Sequence, residues 1–134
     1  MATLLGFDFG ERRIGVAVAE TLTGTASPLT TLPTLQRKPD WGRIGALIAE
    51  WRPGALVVGH PFEMTDREAD AAAPAKRFAR QLQGRFQLPV HLIDERLTTR
   101  EAWDRLGTAA HRDRRRVDAV AAQLILETWL EHNA

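Results

Sequence analysis

The sequence predicts an α/β domain built on a five-stranded mixed sheet, in the order β-β-β-α-β-α-β-α, with helices on both faces. Three observations lead there. The chain opens with two strand-like runs, residues 4–9 and 13–19, separated only by a short Gly-Glu-Arg segment, which reads as a hairpin. Two later apolar runs, 55–59 and 89–93, alternate with segments of helical spacing, the pattern of parallel strands joined by crossover helices. No internal repeat or flexible linker interrupts the chain. Its 134 residues therefore suit one domain, 1–134, with a single hydrophobic interior.

Each element has its own reason. In the first strand, alternation puts Leu5, Phe7 and Phe9 on one face and Leu4, Gly6 and Asp8 on the other. Residues 26–35 form a third strand at an edge, because Pro28 and Pro33 are tolerated there. Asp40 caps a helix over 41–51, where Ile44, Leu47, Ile48 and Trp51 recur at helical spacing, and Arg52-Pro53-Gly54 ends it. Ala55-Leu56-Val57-Val58-Gly59 is continuous and apolar, as in a buried parallel strand. Residues 60–70 read as polar and irregular, and a helix follows to about Gly84 with Phe78 and Leu82 inward. The fifth strand, 89–93, ends in Asp94-Glu95. Thr98 opens a short helix through Trp103 and Leu106, and after a polar loop the last helix runs from about Arg114 to Glu131. Its expected packing stripe is Val117, Val120, Ala121, Leu124, Ile125 and Thr128, with Asp118 at the margin.

Composition narrows the function classes. A hydrophobic content of 44% and a charged content of 26% fit a soluble globular protein. No apolar stretch is long enough to span a bilayer, and no basic n-region precedes the first strand, so neither a membrane span nor a signal peptide is expected. The absence of cysteine rules out disulfides and thiolate metal sites and is compatible with the cytoplasm, the expected location. A net charge of +1 conceals 18 basic and 17 acidic residues, so local patches matter more than the total.

The chemistry centres on acids at element ends. Asp8 closes an apolar strand, where an ionised carboxylate is costly without a compensating cation. Gly6, Gly15 and Ala17 are expected to leave open space around it. Asp94 and Glu95 end the fifth strand, and Asp118 lies in the first turns of the last helix. Read singly, Asp8 is a turn cap, Asp94-Glu95 a solvated strand end, and Asp118 a partner of the helix dipole. Read together they are hard oxygen donors that repel one another unless a cation intervenes, which suits Mg²⁺ or Mn²⁺. Two such ions roughly 3.5–4 Å apart can activate a water and stabilise the leaving oxygen of a phosphodiester.

Four blocks then resemble a known family. Asp8-Phe9-Gly10 with Arg13-Ile14-Gly15-Val16-Ala17 is similar to the opening of the YqgF family, also called RuvX, of the ribonuclease H-like superfamily. Val57-Val58-Gly59-x-Pro61, Asp94-Glu95-Arg96-Leu97-Thr98-Thr99 and Asp118-Ala119-x-Ala121-Ala122 resemble its other blocks, in order, over nearly the whole chain. The resemblance implies a ribonuclease H-like fold and a Mg²⁺- or Mn²⁺-dependent nuclease, with two ions. It would either resolve Holliday junctions or process the 5′ end of pre-16S rRNA. It further implies that Asp8, Glu95 and Asp118 are the catalytic acids and metal ligands. The chain departs from the family at His60, usually aliphatic, and in 62–68, which lacks the usual glycine.

Basic residues flank each of these acids: Arg12 and Arg13 after Asp8, Arg96 and Arg100 after Glu95, and His111, Arg112, Arg114, Arg115 and Arg116 before Asp118. Cations at a helix N-terminus oppose the dipole, so the last cluster calls for another use. Phosphate binding is that use, by backbone and shape and not by base identity. The expected partner is nucleic acid, either a DNA junction or a structured or single-stranded RNA. The protein itself is expected to be a monomer or weak homodimer, although symmetric junction cutting requires a dimer. The competing reading is a nucleotide- or nucleic-acid-binding protein of the same superfamily without nuclease activity.

Overall fold

Successive residues of the opening strand are buried against different helix layers, and this splits the interior in two. In a computed structural model, which describes residues 2–60, 66–94 and 114–133, the strands are β1 (Thr3–Phe9), β2 (Arg13–Glu20), β3 (Thr25–Pro33), β4 (Ala55–His60) and β5 (Val90–Asp94). The helices are α1 (Trp41–Trp51), α2 (Asp66–Phe86) and α3 (Arg114–His132). The strands form one sheet in the order β3-β2-β1-β4-β5. β1 runs antiparallel to β2 and parallel to β4, β2 is antiparallel to β3, and β4 is parallel to β5. This is the expected mixed sheet with helices on both faces. The short helix expected at 98–106 lies outside the described residues.

On one face Leu5, Phe7, Ile14, Val16, Leu56 and Val58 pack against Ile44 of α1 and Phe78 and Leu82 of α2. On the other, Leu4, Ala17, Ala19, Val57 and Ile93 pack against Ala122, Ile125 and Leu126 of α3. The first face is filled mostly by large side chains, whereas the second also carries Gly6, Gly15, Ala17 and Ala19, where α3 approaches the sheet closely. A Cβ on Gly6 would lie 2.5 Å from Leu126 Cγ.

Local signals act as expected in several places. Asp40 caps α1, its carboxylate accepting from the Arg43 N–H at 3.2 Å. Arg52 closes the helix in a left-handed conformation (φ 46°), donating its N–H to Ile48 O before Pro53 forbids continuation. β3 is the edge strand that its prolines require, and it bulges where Val16 pairs with Thr30 but Ala17 with Pro28, leaving Leu29 unmatched.

Two expectations need correction. Residues 66–70 are helical, not irregular: α2 begins at Asp66 and runs through Pro74 to Phe86. The segment is polar, but Ala, Glu and Arg are strong helix formers, and here propensity outweighs polarity. The helix continues past Gly84 because Phe86 reaches Trp41, with ring centroids 6.3 Å apart. The buried side of α3 is also wider than a stripe. Ala119, Ala122 and Leu126 are buried with Val120, Leu124, Ile125 and Thr128, while Val117 and Ala121 are half-buried. The helix lies across β1, β2 and β3 at once, so more than one ridge meets the sheet. Thr128 is tolerated there because its hydroxyl donates to Leu124 O at 2.7 Å.

Candidate active site

Asp8 stands near the C-terminal end of β1, on the α3 face. Its register partners are Gly15 in β2 and Gly59 in β4, so its neighbours on both strands lack side chains. A carboxylate can be kept half-buried there without being walled in by bulky groups. The space expected around it is not simply open, however. The room left by Gly6 is taken by Leu126, and that left by Gly15 by the backbone of Asp118. A Cβ on Gly15 would overlap the Asp118 carbonyl oxygen and carbon. The missing side chain lets the start of α3 rest directly on β2, one strand over from Asp8. Two carboxylates separated by 110 positions in sequence are thereby brought to one sheet end.

Asp118 is half-buried and paired. Its Oδ2 accepts from Arg13 Nε at 2.8 Å, with the two side chains 24% and 39% exposed. A pair this accessible stabilises the fold by less than about 1 kcal/mol. Its consequence is therefore positional: the guanidinium selects one orientation of the Asp118 carboxylate and offsets its charge beside Asp8. Sequence reading placed Arg13 on nucleic acid, and nothing local reveals a partner 105 positions away. Arg12, by contrast, is exposed beside the β1–β2 turn.

β5 delivers Asp94, half-buried, opposite His60 of β4. Glu95, Arg96, Arg100, His111 and Arg112 lie outside the described residues. Arg114, Arg115 and Arg116 form the first turn of α3, but their side chains lie outside what is described, as does that of His60. Among the described residues no three His, Cys, Asp or Glu side chains gather into a metal-binding group. Of the three acids expected from the sequence, Asp8 and Asp118 are described. Both offer hard carboxylate oxygens, the donor type that divalent magnesium or manganese takes.

Residues 2–132 match a family model described as RuvX, Holliday junction resolvase. The chain belongs to the RuvX family. Three RuvX relatives, each named "Putative pre-16S rRNA nuclease", come from Pseudomonas putida (50% identical, covering 97% of this chain and 95% of the relative), Azotobacter vinelandii (52%; 95% and 92%) and Legionella pneumophila (49%; 96% and 95%). The chain is accordingly a nuclease, a hydrolase of phosphodiester bonds. Among solved structures it superposes on Thermus thermophilus RuvC in complex with a Holliday junction substrate (TM-score 0.64, 17% identity, 100% of this chain and 98% of that one). It also superposes on a fowlpox virus resolvase bound to junction DNA (TM-score 0.62, 10% identity, 99% of both chains). At such low identity these two matches concern the fold, which is the ribonuclease H-like fold expected of a RuvX chain.

Proposed function

We propose that this RuvX protein is a Mg²⁺- or Mn²⁺-dependent nuclease acting on structured nucleic acid through Asp8, Glu95 and Asp118. The single observation that carries this reading is the placement of Asp118 on Gly15, beside the half-buried Asp8. Glu95 follows directly on the last residue of β5 in sequence and is the third acid of the set. These carboxylates would hold two divalent ions. When bound, such ions polarise a phosphoryl oxygen and lower the pKa of a coordinated water. The chain's own part is orientation and charge balance. Arg13 fixes the Asp118 carboxylate and keeps a guanidinium where a phosphate would approach. Gly15 and Gly59 keep bulky side chains away from Asp8. Arg12, Arg96, Arg100, Arg112, Arg114, Arg115 and Arg116 would bind phosphates of the same strand or its complement.

The preferred substrate is the 5′ end of pre-16S rRNA. Relatives at about half identity are named for pre-16S rRNA, whereas the junction complexes are related at 17% and 10% identity. The deciding experiment is a panel of labelled RNA duplexes, single strands, pre-rRNA ends and four-way DNA junctions, incubated with Mn²⁺ and compared with Asp8→Asn. Cleavage of a pre-rRNA end is expected, falling to background in Asp8→Asn while nucleic-acid binding persists. Mn²⁺ binding followed by calorimetry should weaken in the same variant. Undiminished cleavage by Asp8→Asn would overturn the assignment of the acids. Cleavage confined to junctions would replace the substrate.

A further inference from the structure

A groove of about 710 Å³ opens on the face of the sheet opposite Asp8. Phe9, the residue after Asp8, lines it, so the groove begins at the same end of β1 as Asp8 but lies between α2 and the segment that leads into α1. Its cations are Arg37, Lys38, Arg77 and Arg85, set against Glu11 as its only lining carboxylate among the described residues. In a chain with 18 basic and 17 acidic residues, this is a strong local excess of positive charge.

The cations are arranged, not scattered. Arg77, Gln81 and Arg85 stand four residues apart on one side of α2, a row about 12 Å long from first to last. The Arg85 guanidinium sits 4.4 Å over the Trp41 ring, which stacks in turn on Phe78. Arg37 and Lys38 come from a tight turn closed by reciprocal backbone bonds, Leu35 N–H to Lys38 O at 2.8 Å and Lys38 N–H to Leu35 O at 2.9 Å. The two central residues of that turn, Gln36 and Arg37, have φ of 52° and 65°. Glycine or asparagine is the relaxed choice for such a turn. The chain instead keeps an arginine at a left-handed position on the groove wall.

We infer that this groove is a second nucleic-acid site, a track that grips the phosphates of a single-stranded extension of the substrate as it leaves the cleavage face around the end of β1. Four cations from two segments, two of them about 12 Å apart along α2, suit a polyanion with repeated charges better than a lone phosphate. The ring faces of its floor are already taken, since Phe78 is buried and Trp41 is covered by Phe78 and Arg85, so the groove suits the sugar-phosphate backbone and not the bases. This inference rests on the nuclease reading above for its direction, but its test does not depend on cleavage.

The test uses the full chain carrying Asp8→Asn, so that bound strands survive, and measures fluorescence anisotropy against RNA and DNA duplexes that are blunt or carry a single-stranded tail. Arg37→Gly with Arg77→Gln is the informative pair. Glycine relaxes the turn, so loss of folding is not expected, and an unchanged thermal melt checks this. The tailed duplex should bind the Asp8→Asn parent about tenfold more tightly than the blunt one, and the double variant should lose that advantage. The salt dependence of tail binding should fall by about 1.4 in log–log slope, close to 0.7 per lost contact on single strands. A parent indifferent to tails, or a double variant that keeps the preference, would overturn the track. If tails matter but no nucleic acid is cut by the unmutated protein, the track stands and the nuclease reading falls. Comparing RNA with DNA tails identifies which strand the groove takes.

Discussion

Gly15 shows how much a single position can decide. In β2 it reads as one small residue among several, and its pairing with Asp8 follows from the hairpin. What it permits is visible only in three dimensions, where the Asp118 backbone occupies the place a side chain would take. Gly15→Ala forces α3 to shift or the strand to buckle. It should destabilise the protein by about 1–3 kcal/mol in urea unfolding, the usual cost of overfilling a packed interior. Cleavage should be lost even where the variant remains folded, because Asp118 moves with the helix. A variant with parental stability and rate would show that the contact is unimportant. Arg13 illustrates the complementary case. Its pair with Asp118 is too exposed to matter much for stability, which leaves orientation as its role. The positions of Asp8 near the end of an apolar strand and of Asp118 in the first turns of a helix were legible in sequence. Which cation serves which acid was not, since Arg13 and Asp118 have no local relation.

At the scale of elements, most boundaries follow from capping and turn chemistry. α1 is the clearest case: Asp40 starts it, and Arg52 with Pro53 stops it. Asp40→Ala should cost about 1 kcal/mol, read as a lowered urea midpoint, and should leave cleavage unchanged because the cap lies on the face opposite Asp8. A loss of activity without a loss of stability would place Asp40 in the site after all. α2 and α3 were less legible. The first turns of α2 are polar enough to resemble a loop, although their propensity is helical. The burial of α3 follows from the three strands it crosses and not from its own periodicity. The turn at Leu35–Lys38 is likewise opaque in sequence, because Gln-Arg carries none of the usual signals for left-handed backbone.

At the scale of the whole molecule, the described residues form two apolar layers, one on each side of the sheet, both built of apolar side chains that offer a metal no ligand. Removing divalent ions with a chelator should therefore abolish cleavage while leaving the thermal melt nearly unchanged, with activity restored by Mg²⁺ or Mn²⁺. Cleavage that persists in chelator would overturn metal dependence, and a collapsed melt would mean that the ions hold the fold. Among the described residues no helix is long and apolar enough to cross a membrane. By itself the sequence determined the mixed α/β architecture, the edge position of β3, the faces of β1 and the acids worth watching, because alternation, prolines and caps act over a few residues. Tertiary structure alone decided that Asp118 lies against Gly15 beside Asp8, that Arg13 holds it, and that four cations from two distant segments line one groove. Those relations arise from strand pairing and helix docking, which join positions that no local pattern connects.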